Sequence, residues 1–220
     1  MGIDLQRNGD VVIATWRDGE NRLNPDTIKA LDDLASEIEH EAGACALVLT
    51  GEGKFFSNGL DLERIAGDRD ELLASVVLFQ QLLGRLYVLP VYTVAAINGH
   101  AFAGGAMLTC AFDYRVMRED RGYWCLNEAD IGLPLSAQMA AAVLGRLPQA
   151  TALEAMLTAR RYGAHDALDA GIVDAVVPED RLLDAAVERA AMVATKHRDV
   201  VAAHKRHAFS EIAAACGWAP

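Results

Sequence analysis

The stretch VYTVAAINGHAFAGGA, residues 91–106, carries the clearest fold signal in the chain. Residues 91–97 form an apolar run of the length and composition of a strand that is buried on both faces. Asn98-Gly99 is a turn signal, and the small residues from Ala101 onward predict a buried helix that begins near Gly104. Glycine lets the backbone approach a ligand closely, and the first amides of a helix lack partners within it. This turn is therefore a candidate binding loop.

A related arrangement lies earlier in the chain. Residues 46–50 form a short apolar run that predicts another buried strand, and the glycine-containing turn FFSNGLDL follows at residues 55–62. Upstream, residues 11–16 read as a strand of a hairpin between two turn signals. Asn24 then supplies a helix N-cap and Pro25 the first helical position. The order strand, helix, strand predicts a crossover unit with parallel pairing.

The same order continues towards the C-terminus. Residues 72–89 predict a helix that Pro90 stops, and residues 114–117 predict a further strand. From Ser136 onward the chain is alanine-rich and is expected to be mostly helical. These elements predict an α/β fold in one main domain.

The composition excludes several classes of protein. A chain of 220 residues with 52% hydrophobic content can bury one substantial core. The N-terminus has no basic segment followed by an apolar stretch, and no apolar run has the length of a membrane span, so we expect a soluble, cytoplasmic protein. The net charge of −11 disfavours nucleic acid as a partner. Four widely spaced cysteines form no CxxC pair, which predicts buried reduced thiols and no metal site.

One local exception to the acidic balance lies near the C-terminus. A run of this kind is either a solvated helix face or a contact for a phosphorylated ligand, and the sequence leaves both interpretations open. The basic side chains of this segment are Lys196, His197, Arg198, His204, Lys205, Arg206 and His207.

The two glycine-containing turns, residues 55–62 and residues 98–106, follow buried strands at corresponding places. If they face each other, their backbone amides could hold one oxyanion. Each turn alone is more often explained by tight packing between a strand and a helix. Neither turn matches the glycine patterns of phosphate-binding loops.

Segments along nearly the whole chain resemble the signature regions of the crotonase (enoyl-CoA hydratase/isomerase) superfamily, in the same order. The resemblance implies an α/β fold built as a spiral of ββα units, with two roughly perpendicular sheets and a C-terminal helical region. It implies an acyl-CoA-binding core at residues 1–175, an oligomerising helical region at residues 176–220, and a homotrimer or a dimer of trimers. The matching segments are residues 21–25, 56–62, 95–105, 127–134 and 157–174.

The resemblance also implies roles for single residues. The backbone N–H groups of Leu60 and Gly104 would bind the thioester oxygen and stabilise an enolate. Arg22 could pair with a CoA phosphate or could be an ordinary exposed arginine, and Asp61 could cap the following helix. The substrate-binding set implied in this way is Arg22, Leu23, Ser57, Asn58, Gly59, Asp61, Gly105 and Met107.

The acid/base residues are expected to decide the reaction. Hydratases of this superfamily use two glutamates; here the first position falls on Met107 and the second on Glu128. Methionine cannot activate water, so the pattern resembles the single-glutamate, peroxisomal branch of the Δ3,Δ2-enoyl-CoA isomerases. Without the resemblance, Glu128 would be read as a solvated loop residue or a cap. Asp130 and His100 are weaker candidates, and we expect His100 to be tied to loop backbone.

The resulting hypothesis is an isomerase that converts a 3-enoyl-CoA into a 2-enoyl-CoA. Glu128 would move one proton, and no cofactor is needed beyond the coenzyme A of the substrate. Two alternatives stay open from the sequence. One is another reaction of the superfamily, hydration or CoA-thioester hydrolysis, and the other is a non-catalytic homologue that binds CoA or RNA.

Overall fold

The computed structural model describes residues 2–65 and 69–218 of the chain. Its architecture is α/β, with two sheets and a C-terminal helical region. In chain order the elements are β1 (Gly2–Asn8), β2 (Val11–Arg17), α1 (Pro25–His40), β3 (Ala46–Gly51), β4 (Phe55–Ser57), α2 (Leu62–Ile65), α3 (Arg69–Tyr87), β5 (Tyr92–Ile97), β6 (His100–Phe102), α4 (Gly104–Cys110), β7 (Tyr114–Arg118), β8 (Trp124–Cys125), α5 (Glu128–Ile131), α6 (Ala137–Leu144), α7 (Gln149–Thr158), α8 (Ala164–Asp169), β9 (Ala175–Val177), a short 3-10 helix (Glu179–Arg181), α9 (Leu182–Ala194) and α10 (Arg198–Ala215).

The first crossover has the predicted form. Strands β1 and β2 pair as an antiparallel hairpin, and β2 pairs in parallel with β3 after α1. The Asn24 side chain accepts hydrogen bonds from the N–H groups of Asp26 and Thr27, and the Thr27 hydroxyl accepts one from the Asn24 N–H. This capping box with Pro25 at the first helical turn fixes where α1 begins.

The larger sheet has the strand order β1-β2-β3-β5-β7-β9. Its inner strands are buried on both faces, as their continuous apolar runs predict. Along β3, Leu47 and Leu49 face the main core with α1 and α3, whereas Ala46 and Val48 face a second core that helix α9 covers. The alternation of side chains along a strand thus supplies both cores.

A smaller parallel sheet has the order β4-β6-β8. The resemblance implied a second sheet, but the residue patterns did not predict these strands, because they are only two or three residues long and show no period. This sheet brings the two glycine-containing turns side by side, since each turn contains one of two paired strands, β4 or β6.

The chain after Ser136 is mostly helical, as predicted, except that Ala175–Val177 forms strand β9 and pairs with β7. The basic C-terminal segment is solvated only in part, because two of its basic side chains bind other parts of the fold while the others are exposed. Arg198 donates to the carbonyls of Ile38 and Glu39 at the end of α1. Lys205 is buried and donates to Asp113 at 2.7 Å. Two cations of the segment therefore hold the fold together.

Candidate active site

The first glycine-containing turn is held from behind by the segment that precedes α1. The N–H of Leu23 donates to the carbonyl of Gly59 at 2.7 Å, and the N–H of Asp61 donates to the carbonyl of Leu23 at 2.9 Å. The Ser57 hydroxyl donates to the carbonyl of Asn21 at 2.7 Å. These bonds fix the backbone on both sides of Leu60, and none of them uses the Leu60 N–H.

The second turn joins β6 to α4 through a strained residue. Ala103 has φ 49° and ψ −121°, a conformation that non-glycine residues rarely adopt. Its N–H donates to the carbonyl of Cys125 on the third strand of the smaller sheet, at 2.9 Å. Helix α4 then begins at Gly104, whose N–H belongs to the first helical turn and has no acceptor within the helix.

The two turns touch through their backbones. A Cβ atom at Gly105 would lie 2.4 Å from the carbonyl oxygen of Ser57, and one at Gly59 would lie 3.1 Å from the nitrogen of Gly104. Only glycine permits this approach, which explains why glycine occupies positions 59 and 105. Within the part of the chain that the structure describes, the N–H groups of Leu60 and Gly104 donate no hydrogen bond.

One cavity of about 390 Å³ borders both turns. Leu60 and Gly104 line it beside Met107, which is 1% exposed, and Glu128. Its walls are mostly apolar side chains. The lining residues are Asn58, Leu60, Leu62, Leu72, Leu73, Val76, Ala103, Gly104, Met107, Asn127, Glu128, Ile131, Leu133, Pro134, Leu135, Ser136 and Met139.

Glu128 is the first residue of α5 and points a carboxyl group into this apolar space. Its carbonyl accepts from the N–H of Leu133, and Gly132 ends the helix in the left-handed conformation, so a tight turn fixes the backbone of Glu128. Its Oε2 atom is buried and has no hydrogen-bond partner among the described residues. Burial raises the pKa of Glu128 from the usual 4.5 to about 7.

Glu128 is the only ionisable side chain among the described residues that line the cavity. Met107, at the position expected for the first glutamate of a hydratase, lines the cavity, and Asp130 is exposed outside it. The site therefore offers one carboxyl group of raised proton affinity near two unpaired backbone donors. That combination can take up a proton beside a carbonyl group and stabilise the resulting oxyanion.

Of the other residues predicted to bind substrate, Asn58 lines the cavity. Ser57, Gly59 and Gly105 lie behind it and shape the turns, and Leu23 is fully buried with its side chain against Gly104.

Arg22 and Asp61 border a different, polar cavity of about 400 Å³. The Arg22 guanidinium contacts Glu20 at 2.8 Å, Asp61 at 3.4 Å and Glu63 at 3.5 Å. Its charge is thus already matched by carboxylates. Asp61 also accepts a hydrogen bond from the N–H of Arg64 in the first turn of α2, which is the capping role predicted for it.

The apolar wall contributed by α3 and by the segment after α5 was not predicted as part of the site. On α3 the contributing residues are Leu72, Leu73 and Val76, and the Gln80 amide donates to the Ser136 hydroxyl across the wall at 2.9 Å. The sequence signal for this wall is that the first half of α3 has more apolar residues than one buried helix face requires.

His100 has the structural role expected for it. Its Nδ1 atom accepts from the N–H of Tyr123 at 3.2 Å, and its ring packs between Phe55 and Phe102. Burial lowers its pKa. The four cysteines are buried and unbridged, as predicted.

The described residues contain neither a cluster of metal ligands nor a membrane-spanning helix. In residues 2–65 and 69–218, no three His, Cys, Asp or Glu side chains are grouped to hold a metal ion. In the same part of the chain, no helix has both the length and the apolar character that a membrane span requires.

Comparison with known proteins places these features in a family. The family model described as enoyl-CoA hydratase/isomerase matches residues 7–215. Peroxisomal enoyl-CoA delta isomerase 2 of Arabidopsis thaliana is 33% identical, over 97% of this chain and 93% of that protein. A putative enoyl-CoA hydratase of Thermus thermophilus is 35% identical, over 84% of this chain and 75% of that protein. The apo structure of an enoyl-CoA isomerase of Mycobacterium tuberculosis superposes with a TM-score of 0.89 at 26% identity, covering 98% of this chain and 94% of that one.

The fold is that of a crotonase-superfamily enzyme. More narrowly, the chain belongs to the enoyl-CoA hydratase/isomerase family, whose substrates are acyl-CoA thioesters. Both isomerases and hydratases occur among the relatives, so family membership leaves the particular reaction to be argued from the site.

Proposed function

We propose that this protein is a Δ3,Δ2-enoyl-CoA isomerase, which moves the double bond of a 3-enoyl-CoA into conjugation with the thioester. The observation that carries the proposal is that the described residues lining the cavity include a single carboxyl group. Glu128 has a raised pKa, and Met107 stands where a hydratase would need the other of its two glutamates. One base is enough to move a proton, whereas adding water to a double bond takes a second group.

In the proposed reaction the thioester oxygen accepts hydrogen bonds from the N–H groups of Leu60 and Gly104. Glu128 takes a proton from C2, and the negative charge spreads over a dienolate whose oxygen the two amides stabilise. The resulting carboxylic acid then returns a proton at C4. The double bond ends between C2 and C3, and no atom is gained or lost.

The surroundings of Glu128 suit this proton transfer. A carboxylate of ordinary pKa is a weak base for a C–H group, and burial among apolar side chains makes Glu128 more basic. Met107 and Met139 keep the cavity wall near it apolar. Water near the dienolate would compete for the proton, and an apolar wall limits that competition.

Several further features belong to the proposal. The enzyme needs no cofactor beyond the coenzyme A of its substrate and binds neither nucleic acid nor a membrane. It assembles as a homotrimer or a dimer of trimers, with residues 176–220 taking part in the assembly, and it acts in the cytoplasm in fatty-acid β-oxidation. The ion pairs of Arg22 favour a role in shaping the first turn over a direct contact to a CoA phosphate.

The test is a pair of assays run on the same enzyme preparation. One assay supplies a 3-enoyl-CoA and follows the conjugated 2-enoyl product; the other supplies a 2-enoyl-CoA and follows its hydration. We expect isomerisation with negligible hydration in the wild type, and a loss of isomerisation by at least about a hundredfold in Glu128→Gln. Asp130→Asn is the matched control, because it removes an exposed carboxylate two residues away.

Other outcomes would reject the proposal. Rapid hydration of the 2-enoyl-CoA would mean that water is activated without a second glutamate. Release of free CoA thiol from either substrate would indicate a thioester hydrolase. Inactivity in both assays with no release of thiol, together with salt-dependent RNA binding in a shift assay, would indicate a binding protein.

A further inference from the structure

An exposed apolar surface continues from the mouth of the active-site cavity. Leu73, Ile131 and Leu133 line the cavity and are also 53%, 46% and 42% exposed. Val77 follows Leu73 by four residues on α3 and is 50% exposed. We call these four residues the apolar rim. An apolar patch that adjoins a binding cavity is typically a surface that contacts the bound ligand.

The cavity wall changes gradually from buried to exposed. Gly104 and Met107 at the reacting end are buried, Val76 and Leu135 are half-buried, and the rim residue Leu73 is exposed. Apolar side chains are thus present along the whole wall, including the part that water reaches. A cavity that ended at a closed pocket would show no such apolar extension to the surface.

The volume of the cavity limits how much of a substrate it can enclose. About 390 Å³ gives room for on the order of a dozen groups the size of a water molecule or a methylene. In a bound substrate, the thioester, the reacting carbons and the adjoining part of the pantetheine arm would fill much of this space. Only a short acyl chain then fits entirely inside.

We infer that the enzyme acts on medium- and long-chain 3-enoyl thioesters, whose acyl tails leave the cavity across the apolar rim of Leu73, Val77, Ile131 and Leu133. This inference rests on the proposed function and deepens it. Leu73 and Val77 lie on one face of α3, about 6 Å apart along the helix axis, and so provide a strip along which a tail can lie. The tail covers the exposed apolar surface, and the surface shields the tail from water.

The geometry predicts how the rate depends on chain length. Each methylene that is fully removed from water should raise kcat/KM by about fourfold, equivalent to about 0.8 kcal/mol. A methylene that lies on the half-exposed rim should contribute about half of that free energy, or roughly twofold. The rate should therefore rise steeply with length inside the cavity and more gently beyond it.

The experiment compares the wild type with the double variant Leu73→Ser with Val77→Ser. The substrates are the 3-hexenoyl, 3-octenoyl, 3-decenoyl and 3-dodecenoyl thioesters of CoA. The matched control is Leu5→Ser with Leu168→Ser, which changes two apolar residues at 40% and 38% exposure on β1 and α8, outside the cavity lining. Calorimetric binding of saturated acyl-CoAs of the same lengths gives a second readout that does not need turnover.

We expect the rim variant to act on 3-hexenoyl-CoA within about twofold of the wild type and to lose about tenfold on 3-dodecenoyl-CoA, with the control unchanged. Equal losses at every length would overturn the inference, because the rim would then contact the pantetheine arm that all substrates share. An unchanged length profile would also overturn it, as would a change of molecular mass in solution without a change of that profile, since a second copy of the chain would then cover the rim.

The binding measurement separates this inference from the proposed function. If no 3-enoyl-CoA is isomerised but saturated acyl-CoAs still bind with the predicted length dependence, the proposed reaction fails and the tail path stands. If isomerisation occurs and neither rate nor binding depends on the rim residues, the reaction stands and the tail path fails.

Discussion

Replacing Glu128 with glutamine should make the protein more stable towards alkaline pH than the wild type. The folded wild type holds the Glu128 proton up to about pH 7, whereas the unfolded chain releases it near the usual pKa of 4.5. Between these values unfolding releases a proton, so wild-type stability falls as the pH rises. Above about pH 7 the folded protein carries a buried carboxylate at its full cost.

The size of this effect follows from the two pKa values. A tenfold change in proton affinity is worth about 1.36 kcal/mol, so the raised pKa of Glu128 costs about 3 kcal/mol at alkaline pH. Most of that cost, about 2.5 kcal/mol, develops between pH 5 and pH 8.5. Glutamine does not titrate, so Glu128→Gln lacks this loss, and any packing penalty it brings is the same at every pH.

Urea denaturation of the wild type, Glu128→Gln and Asp130→Asn over this pH range measures the effect. The unfolding free energy of Glu128→Gln minus that of the wild type should increase by about 2.5 kcal/mol from pH 5 to pH 8.5. Asp130→Asn should show no such increase, because its carboxylate is exposed. A constant difference between Glu128→Gln and the wild type would refute the argument that burial holds the proton on Glu128.

Two further predictions concern the glycine turns. Gly105→Ala should lower kcat/KM by a hundredfold or more while the protein stays folded, because its Cβ would meet the Ser57 carbonyl at 2.4 Å and separate the two turns. The isomerisation assay measures the activity, and circular dichroism checks that the variant is folded. Near-normal activity would show that the close approach of the two turns is not needed. Ala103→Gly should raise the unfolding free energy by about 1 kcal/mol, because glycine adopts φ 49° without strain. Urea denaturation measures the unfolding free energy of both proteins. A lower stability of the variant would mean that Ala103 is not strained.

Much of the fold could be predicted from local sequence. The hairpin, the start of α1 at Asn24-Pro25 and the start of α4 at Gly104 each depend on residues close in the chain. Strand β9 could not be predicted in this way. It is three residues long, and it becomes a strand because β7 offers it an unpaired edge.

The site shows the same division between local and distant causes. Glu128, Leu60 and Gly104 were predicted through short motifs, and the structure brings all three to one cavity. The apolar cavity wall that they share includes side chains from distant helices, among them Val76 and Met139, which no local pattern connects to Glu128.

The mass spectrum of the product formed from a 3-enoyl-CoA in D2O tests the central claim most directly. If Glu128 alone moves a proton and no water is activated, the product sampled at early times, before the reverse reaction sets in, is an unhydrated isomer that has gained at most one deuterium in place of a hydrogen. Part of it should carry no deuterium, because the acid that received the C2 proton returns it at C4. A product that has gained the mass of D2O would contradict the one-base reaction and show that the enzyme is a hydratase.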